Sequence, residues 1–244
     1  MSIPWYYMWS QKYRIFHELI QVEMKEHELN LQPIFIEQSV FDKELYQTEN
    51  AHSWNGCTIK VDLLLERLRT SSAPYILFTD VDLIIKPGVY TTIQPYIEQE
   101  QTMVFIKEGE SGVNIGFILL KVCNEVINFW ENVKNKMLEI PGHDQKYVNE
   151  LLSLYSGKWT TFDPQIMTLS NMWNRTTPFV VLQLLSSCLG KEYDFAEKIF
   201  NAAQYAEIEK YMEYVPEDII PYIYKIQEII IRSHQQAKQS ALNS

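Results

Sequence analysis

The chain of 244 residues predicts an α/β fold: a doubly wound, mostly parallel sheet flanked by helices, followed by a helical C-terminal extension. Three observations predict it. Apolar runs of strand length alternate with stretches whose apolar residues recur at helical spacing. Such alternation calls for crossover connections, which favour parallel strands. After about residue 177 only helical periodicity remains. The expected division is therefore 1–176 for the α/β domain and 177–244 for the extension, and a 46% hydrophobic composition suffices for one sizeable core.

The elements follow in order. Residues 3–9 are apolar and aromatic and read as a short first strand. From Gln11 to about Glu28 the spacing of Ile15, Leu19, Val22 and Met24 is helical. "QPIFIE" (32–37) reads as a strand, the Asn- and Ser-containing stretch after it as a loop, and "CTIKVDLLLERLRT" (57–70) as a helix. "SSAP" breaks that helix. "YILFTDVDLII" (75–85) reads as one strand, "KPG" as a turn and Val89–Glu100 as a short helix. Strands follow at 102–107 and 113–121. "CNEVINFWENVKNKMLEI" (123–140) is an amphipathic helix built on Val126, Ile127, Trp130, Val133 and Met137. "PGHD" ends it and starts another, with Asp144 as N-cap or first-turn residue. "KWTTFD" (158–163) is a further strand. "FVVLQLLSSCLG" and the segments beyond it read as helical.

Composition excludes several classes. A net charge of −10 without a Lys/Arg cluster is the wrong sign for a nucleic-acid binder. Cys57, Cys123 and Cys188 lack metal or redox spacing and read as buried thiols. The N-terminus has no signal-peptide pattern, and no apolar run reaches the length of about 20 residues that a membrane span requires. A cytoplasmic location without a membrane span is expected.

The feature that asks for chemistry is "FTDVDL". Asp80 and Asp82 close an apolar run, where unpaired carboxylates are costly. Side chains two apart on a strand share a face, so both could reach one hard dication such as Mn²⁺ or Mg²⁺. A dication would also keep both ionised. The plain alternative is a surface turn with two solvated acids.

An apolar strand ending in D-x-D, then N-x-G opening a strand, then D-Q opening a helix, resembles GT-A-fold glycosyltransferases, in particular the nucleotide-diphospho-sugar transferase group. The three pieces here are "FTDVDLIIKPG", "SGVNIGFILLK" and "GHDQKYVNELL", and the resemblance covers roughly residues 1–175. It implies a metal-dependent transferase moving a sugar from a nucleotide-diphosphate donor, a UDP-sugar, to a glycan or glycoconjugate hydroxyl. Asp80 and Asp82 would hold Mn²⁺ or Mg²⁺ against the diphosphate, the ion acting as Lewis acid for the leaving group. Lys60, on the helix before the D-x-D strand, would approach the phosphates, and Tyr13 the base. Asn114 and Gly116 would face the donor, the glycine permitting close backbone approach. Gln145 joins the donor set, and Asp144 is the candidate for hydroxyl binding and general base. His143 is a candidate metal or substrate ligand. Retaining and inverting chemistry both stay open.

Two rivals remain. Haloacid-dehalogenase-like phosphatases also place D-x-D at a strand end, with the first Asp as nucleophile, but usually on the first strand and with a later Asp pair, which this chain lacks. A non-catalytic interaction module built on the helical C-terminus is the other.

Overall fold

The computed structural model describes residues 3–25, 30–41, 55–110, 112–140, 142–170, 178–186, 189 and 193–242; within these, the side chains at 22–25, 41, 55, 233, 234 and 236–242 are left aside. The chain runs β1 (Pro4–Trp9), a 3-10 turn (Gln11–Tyr13), α1 (Arg14–Lys25), β2 (Asn30–Phe35), α2 (Gln38–Phe41), α3 (Asn55–Thr70), β3 (Tyr75–Thr79), β4 (Leu83–Ile85), α4 (Val89–Glu98), β5 (Met103–Glu108) and β6 (Gly112–Lys121). Then come α5 (Asn124–Glu139), α6 (Asp144–Leu152), β7 (Trp159–Thr161), β8 (Met167–Leu169), β9 (Val181–Gln183), α7 (Asp194–Ala203), a 3-10 stretch (Glu209–Tyr214) and α8 (Ile220–Leu242).

Six strands form the main sheet in the order β2-β1-β3-β6-β5-β7. The pairs β2/β1, β1/β3 and β5/β7 are parallel, and β6 alone runs antiparallel to its neighbours. Helices cover both faces, so the central strands β3, β5 and β6 are largely buried on both sides, while the edge strands β2 and β7 stay more open. β3 shows this residue by residue. Tyr75 and Leu77 enter the apolar cluster shared with α1, α4, α7 and α8, while Ile76 and Phe78 enter the cluster of α3, α5 and α6. Burying each such side chain contributes about 1.5–3 kcal/mol relative to exposure, against a backbone ordering cost of about 1–2 kcal/mol per residue.

β6 keeps that alternation only with a break. Phe105 of β5 pairs with Ile118, but Ile106 pairs with Asn114, so Ile115–Phe117 have no counterpart on β5. The bulge reverses the phase: Val113 and Ile115 face the same cluster as Ile118 and Leu120. It also frees backbone groups next to Asp80, a common use of bulges.

Two expectations are corrected. The run 75–85 is two strands: β3 ends at Thr79, and β4 belongs to a separate three-stranded sheet, β4-β9-β8. Asp80 and Asp82 therefore lie in the passage between two sheets, not on one strand face. "FVVLQLLSSCLG" is not helical at its start, because Val181–Gln183 pairs with Leu83–Ile85 as β9. Three residues are too few to display a period of two, and β9 forms because β4 offers it an edge. Val181 and Leu182 share one apolar cluster with β3, α1 and α7. Among the described residues no helix is long and apolar enough to cross a membrane.

Candidate functional site

The carboxyl ends of β1 and β3 and the first turns of α3 and α6 surround a cavity of about 610 Å³. In open α/β sheets this edge is where ligands bind. Its lining carries four lysines (Lys12, Lys60, Lys146, Lys198) against three aspartates (Asp80, Asp82, Asp144), a cationic surplus in a chain of net charge −10. Two helix amino termini add partial positive charge at the same place.

Each acid of the D-x-D has its own lysine. Lys60 Nζ lies 2.6 Å from Asp80 Oδ1 and donates to the Ile115 carbonyl at 2.9 Å. The Asp80 N–H bonds the Gly116 carbonyl at 2.8 Å. Both carbonyls belong to the β6 bulge, which thus seats the pair. On the other side, Lys198 of α7 donates to Asp82 Oδ2, and Gln183 Nε2 of β9 donates to Asp82 Oδ1 at 2.9 Å. Burial works against a charged Lys60, but Asp80 and Asp144 outweigh it and its pKa rises. Lys198 follows the same logic: burial opposes its charge most, but Asp82, Tyr13 and Asp80 together outweigh it, and it too is raised. Burial lifts the Asp80 pKa, Lys60 opposes this, and Asp82 adds to the rise.

Asp144 opens α6 as its first residue, with His143 at the N-cap position and no side-chain cap. Its Oδ1 accepts the Gln145 N–H at 2.9 Å. Its Oδ2 is buried without a hydrogen-bond partner among the described residues, the kind of atom a ligand hydroxyl would satisfy. Nearby, the Cys57 thiol is pushed up by burial and by Asp144. A neutral thiol there suits packing, and its sulfur lies 3.7 Å from His143 Nδ1. Gln145 lines the cavity, accepts the Ile115 N–H at 3.3 Å through Oε1 and donates to Glu108. Tyr13 also lines it, edge-on to Phe195 at 5.0 Å, with its hydroxyl pKa raised by burial.

Tyr13, Lys60, Asp80, Asp82, His143, Asp144 and Gln145 thus share one cavity. Asn114 and Gly116 do not reach its wall, although Ile115 between them does. Asn114 Oδ1 accepts the Gly116 N–H at 2.8 Å, so the asparagine braces the bulge. A Cβ at Gly116 would stand 2.1 Å from Gln183 Oε1, so any larger residue there must displace the Gln183 side chain.

The donor set does not fit a resident dication as it stands. Both Asp82 oxygens are engaged, its side chain is 5% exposed, and Lys198 stands where the ion would bind. Asp80 is more open at 32%. Among the described residues no group of three or more His, Cys, Asp or Glu side chains could hold a metal ion, so His143 does not complete a ligand set with the aspartates.

Sequence reasoning missed Lys198, Gln183, Trp9 and Asn149. Trp9 ends β1 on the cavity wall and stacks on His17 at 3.9 Å, and the aromatic richness of β1 was its signal. Asn149, one turn after Gln145, closes both backbone groups of Val113 at 2.8 and 2.9 Å.

No family model matches the chain, and no curated protein matches it. Among solved structures it is similar to the apo form of the glycosyltransferase GlyE of Streptococcus pneumoniae TIGR4, at TM-score 0.53 and 12% identity over 96% of this chain and 64% of GlyE. It is also similar to WbbM, a bifunctional glycosyltransferase, in its apo structure, at TM-score 0.54 and 10% identity over 88% of this chain and 52% of WbbM. The chain spans less than two thirds of either length. The likeness is one of fold: a mixed α/β architecture with a mostly parallel central sheet flanked by helices.

Proposed function

We propose that the chain is a glycosyltransferase that moves a sugar from a nucleoside-diphosphate donor, a UDP-sugar, to a hydroxyl of a glycan or glycoconjugate. The observation that carries this reading is the cationic cavity at the carboxyl edge of the sheet, with the D-x-D acids and an Asp144 oxygen that has no partner among the described residues on one wall. Similarity of fold to two glycosyltransferases supports it. The diphosphate lies against Lys60 and Lys198, and the base reaches toward Trp9 and Tyr13, whose rings suit stacking. In the reaction the acceptor hydroxyl oxygen bonds the sugar C1. The bond from C1 to the phosphate oxygen breaks, its electron pair stays on the departing nucleoside diphosphate, and Asp144 takes the hydroxyl proton. The extra negative charge on the leaving group is met by the lysines and the helix amino termini, which are in place before it develops.

Thermal unfolding in the presence of UDP, GDP, CDP and ADP, each with Mn²⁺ and with EDTA, and hydrolysis of the matching nucleotide sugars under both conditions, test the reading. At 100 times its Kd a nucleotide stabilises the folded chain by about 2.7 kcal/mol. One or more of the four should raise the midpoint, and its sugar ester should be hydrolysed slowly. If none shifts the midpoint, or if a simple phosphate ester is turned over and Asp80→Asn abolishes that turnover, the transferase reading fails.

A further inference from the structure

The cation at the D-x-D site is already part of the chain. Lys198 projects from α7 onto Asp82 Oδ2 with 19% of its side chain exposed, and lines the cavity beside Tyr13, 5.8 Å from that ring's centroid. Its position is fixed from several directions. Phe195 packs edge-on against Tyr13 and Phe16 at 5.0 and 5.7 Å, and Asn201 Nδ2 ties the next turn of α7 to the Leu185 carbonyl at 3.1 Å. Gln183 holds the other oxygen of Asp82, so the carboxylate presents itself to Lys198 in one orientation. An ammonium has three donors, and among the described residues those not spent on Asp82 have no hydrogen-bond partner and can face a ligand in the cavity.

We infer that Lys198 takes the place of the divalent ion: held by Asp82, its ammonium binds the donor diphosphate directly, and donor binding needs no metal. This rests on the proposed reading of the cavity as a nucleoside-diphosphate-sugar site. Asp82 is then the anchor that positions a cation, and not a metal ligand. A charge on a helix lysine 116 residues from Asp82 also makes the site dependent on α7 being docked. Removing Lys198 should free Asp82, beside Asp80, for an added ion, which converts metal-independent binding into metal-dependent binding.

Calorimetric titration of the whole chain with UDP, GDP, CDP and ADP, each in EDTA and in Mn²⁺, tests this. The best nucleotide should bind wild-type protein in EDTA within about threefold of its affinity in Mn²⁺. Lys198→Met should lose about tenfold or more in EDTA, the worth of a charged hydrogen bond, and regain affinity in Mn²⁺. Lys198→Arg should keep EDTA binding. A purely structural Lys198–Asp82 bridge would leave the metal dependence of binding unmoved. The inference is overturned if wild-type protein binds only with Mn²⁺, an outcome that leaves the transferase reading intact, or if Lys198→Met binds in EDTA as wild type does. Binding of no nucleotide in either condition overturns both readings. Should Lys198→Met fail to fold, the wild-type and Lys198→Arg arms still decide.

Discussion

Asp80 and Asp82 are two residues apart and each is paired with a lysine, yet their surroundings are opposite. Asp80 is 32% exposed, and its partner Lys60 comes from α3 and keeps a second bond to the Ile115 carbonyl. Asp82 is 5% exposed, and both its partners, Gln183 and Lys198, come from elements beyond residue 176. The difference teaches that a two-letter motif can contain two roles. Asp80 faces the cavity and stays available to a ligand. Asp82 is an internal tie between the main sheet, the small sheet and α7.

The largest effect expected from this contrast is on stability. Asp82→Ala leaves the partly buried Lys198 ammonium without its counter-ion and should cost about 3 kcal/mol in urea unfolding. The double variant Asp82→Ala/Lys198→Met should recover part of that loss, since no unpaired charge remains. A double variant as unstable as Asp82→Ala would mean that the pair is not what Asp82 contributes.

Next in size is Gly116→Ala. Its Cβ would meet Gln183 Oε1 at 2.1 Å and Asn114 Oδ1 at 2.9 Å, pushing Gln183 off Asp82. Overpacking of this kind costs about 1–3 kcal/mol. Unchanged stability would show that Gln183 moves aside freely.

The raised lysines give a third, pH-dependent test. Lys198 and Lys60 have folded values above the ordinary 10.5. Their contribution is fully present below 10.5, where both states hold the proton. It is lost as pH rises from there through the folded values, because the unfolded chain releases protons that the folded one retains. Stability should therefore fall above pH 10.5 by up to about 1.4 kcal/mol per pH unit for each such proton. Tyr7, pushed up to about 12 by burial, adds to the decline in every variant. Lys198→Met should show a shallower slope than wild type in equilibrium unfolding. Equal slopes would mean that Lys198 is not selectively held charged.

The smallest stability effect belongs to Asp80→Asn. Lys60 is 7% exposed, but the substituted amide oxygen and the Ile115 carbonyl still accept from its ammonium, so the loss should be about 1 kcal/mol. Its consequence should instead be read in nucleotide affinity, and a large loss of stability would place Asp80 in the same class as Asp82.

These contrasts also measure how far the sequence carried. Asp80, Asp82, Asp144 and Gln145 were legible because each sits at an element boundary marked by local pattern; Lys60 lies a turn inside α3, and all five line the same cavity. Asn114 and Gly116 were legible as a pattern but not as a task. Their work is to shape a bulge, which exists only when β5 and β6 are paired. Lys198 reads as a solvated helix lysine in "DFAEKIFNAA". Its one signal is position: it falls three residues after Phe195 and four before Ala202, both buried, on the flank of the apolar stripe of α7.

By itself the sequence determined where most strands and helices lie, through apolar periodicity, and the acid pair that closes β3. Only the tertiary structure decided that the run 75–85 divides between two sheets, that three residues at 181–183 become a strand, and that Asp82 meets Lys198. Periodicity is a local property, set by side chains a few residues apart. A strand as short as β9 and an ion pair across 116 residues are stabilised by partners distant along the chain, and those partners are brought together only when both faces of the sheet are buried.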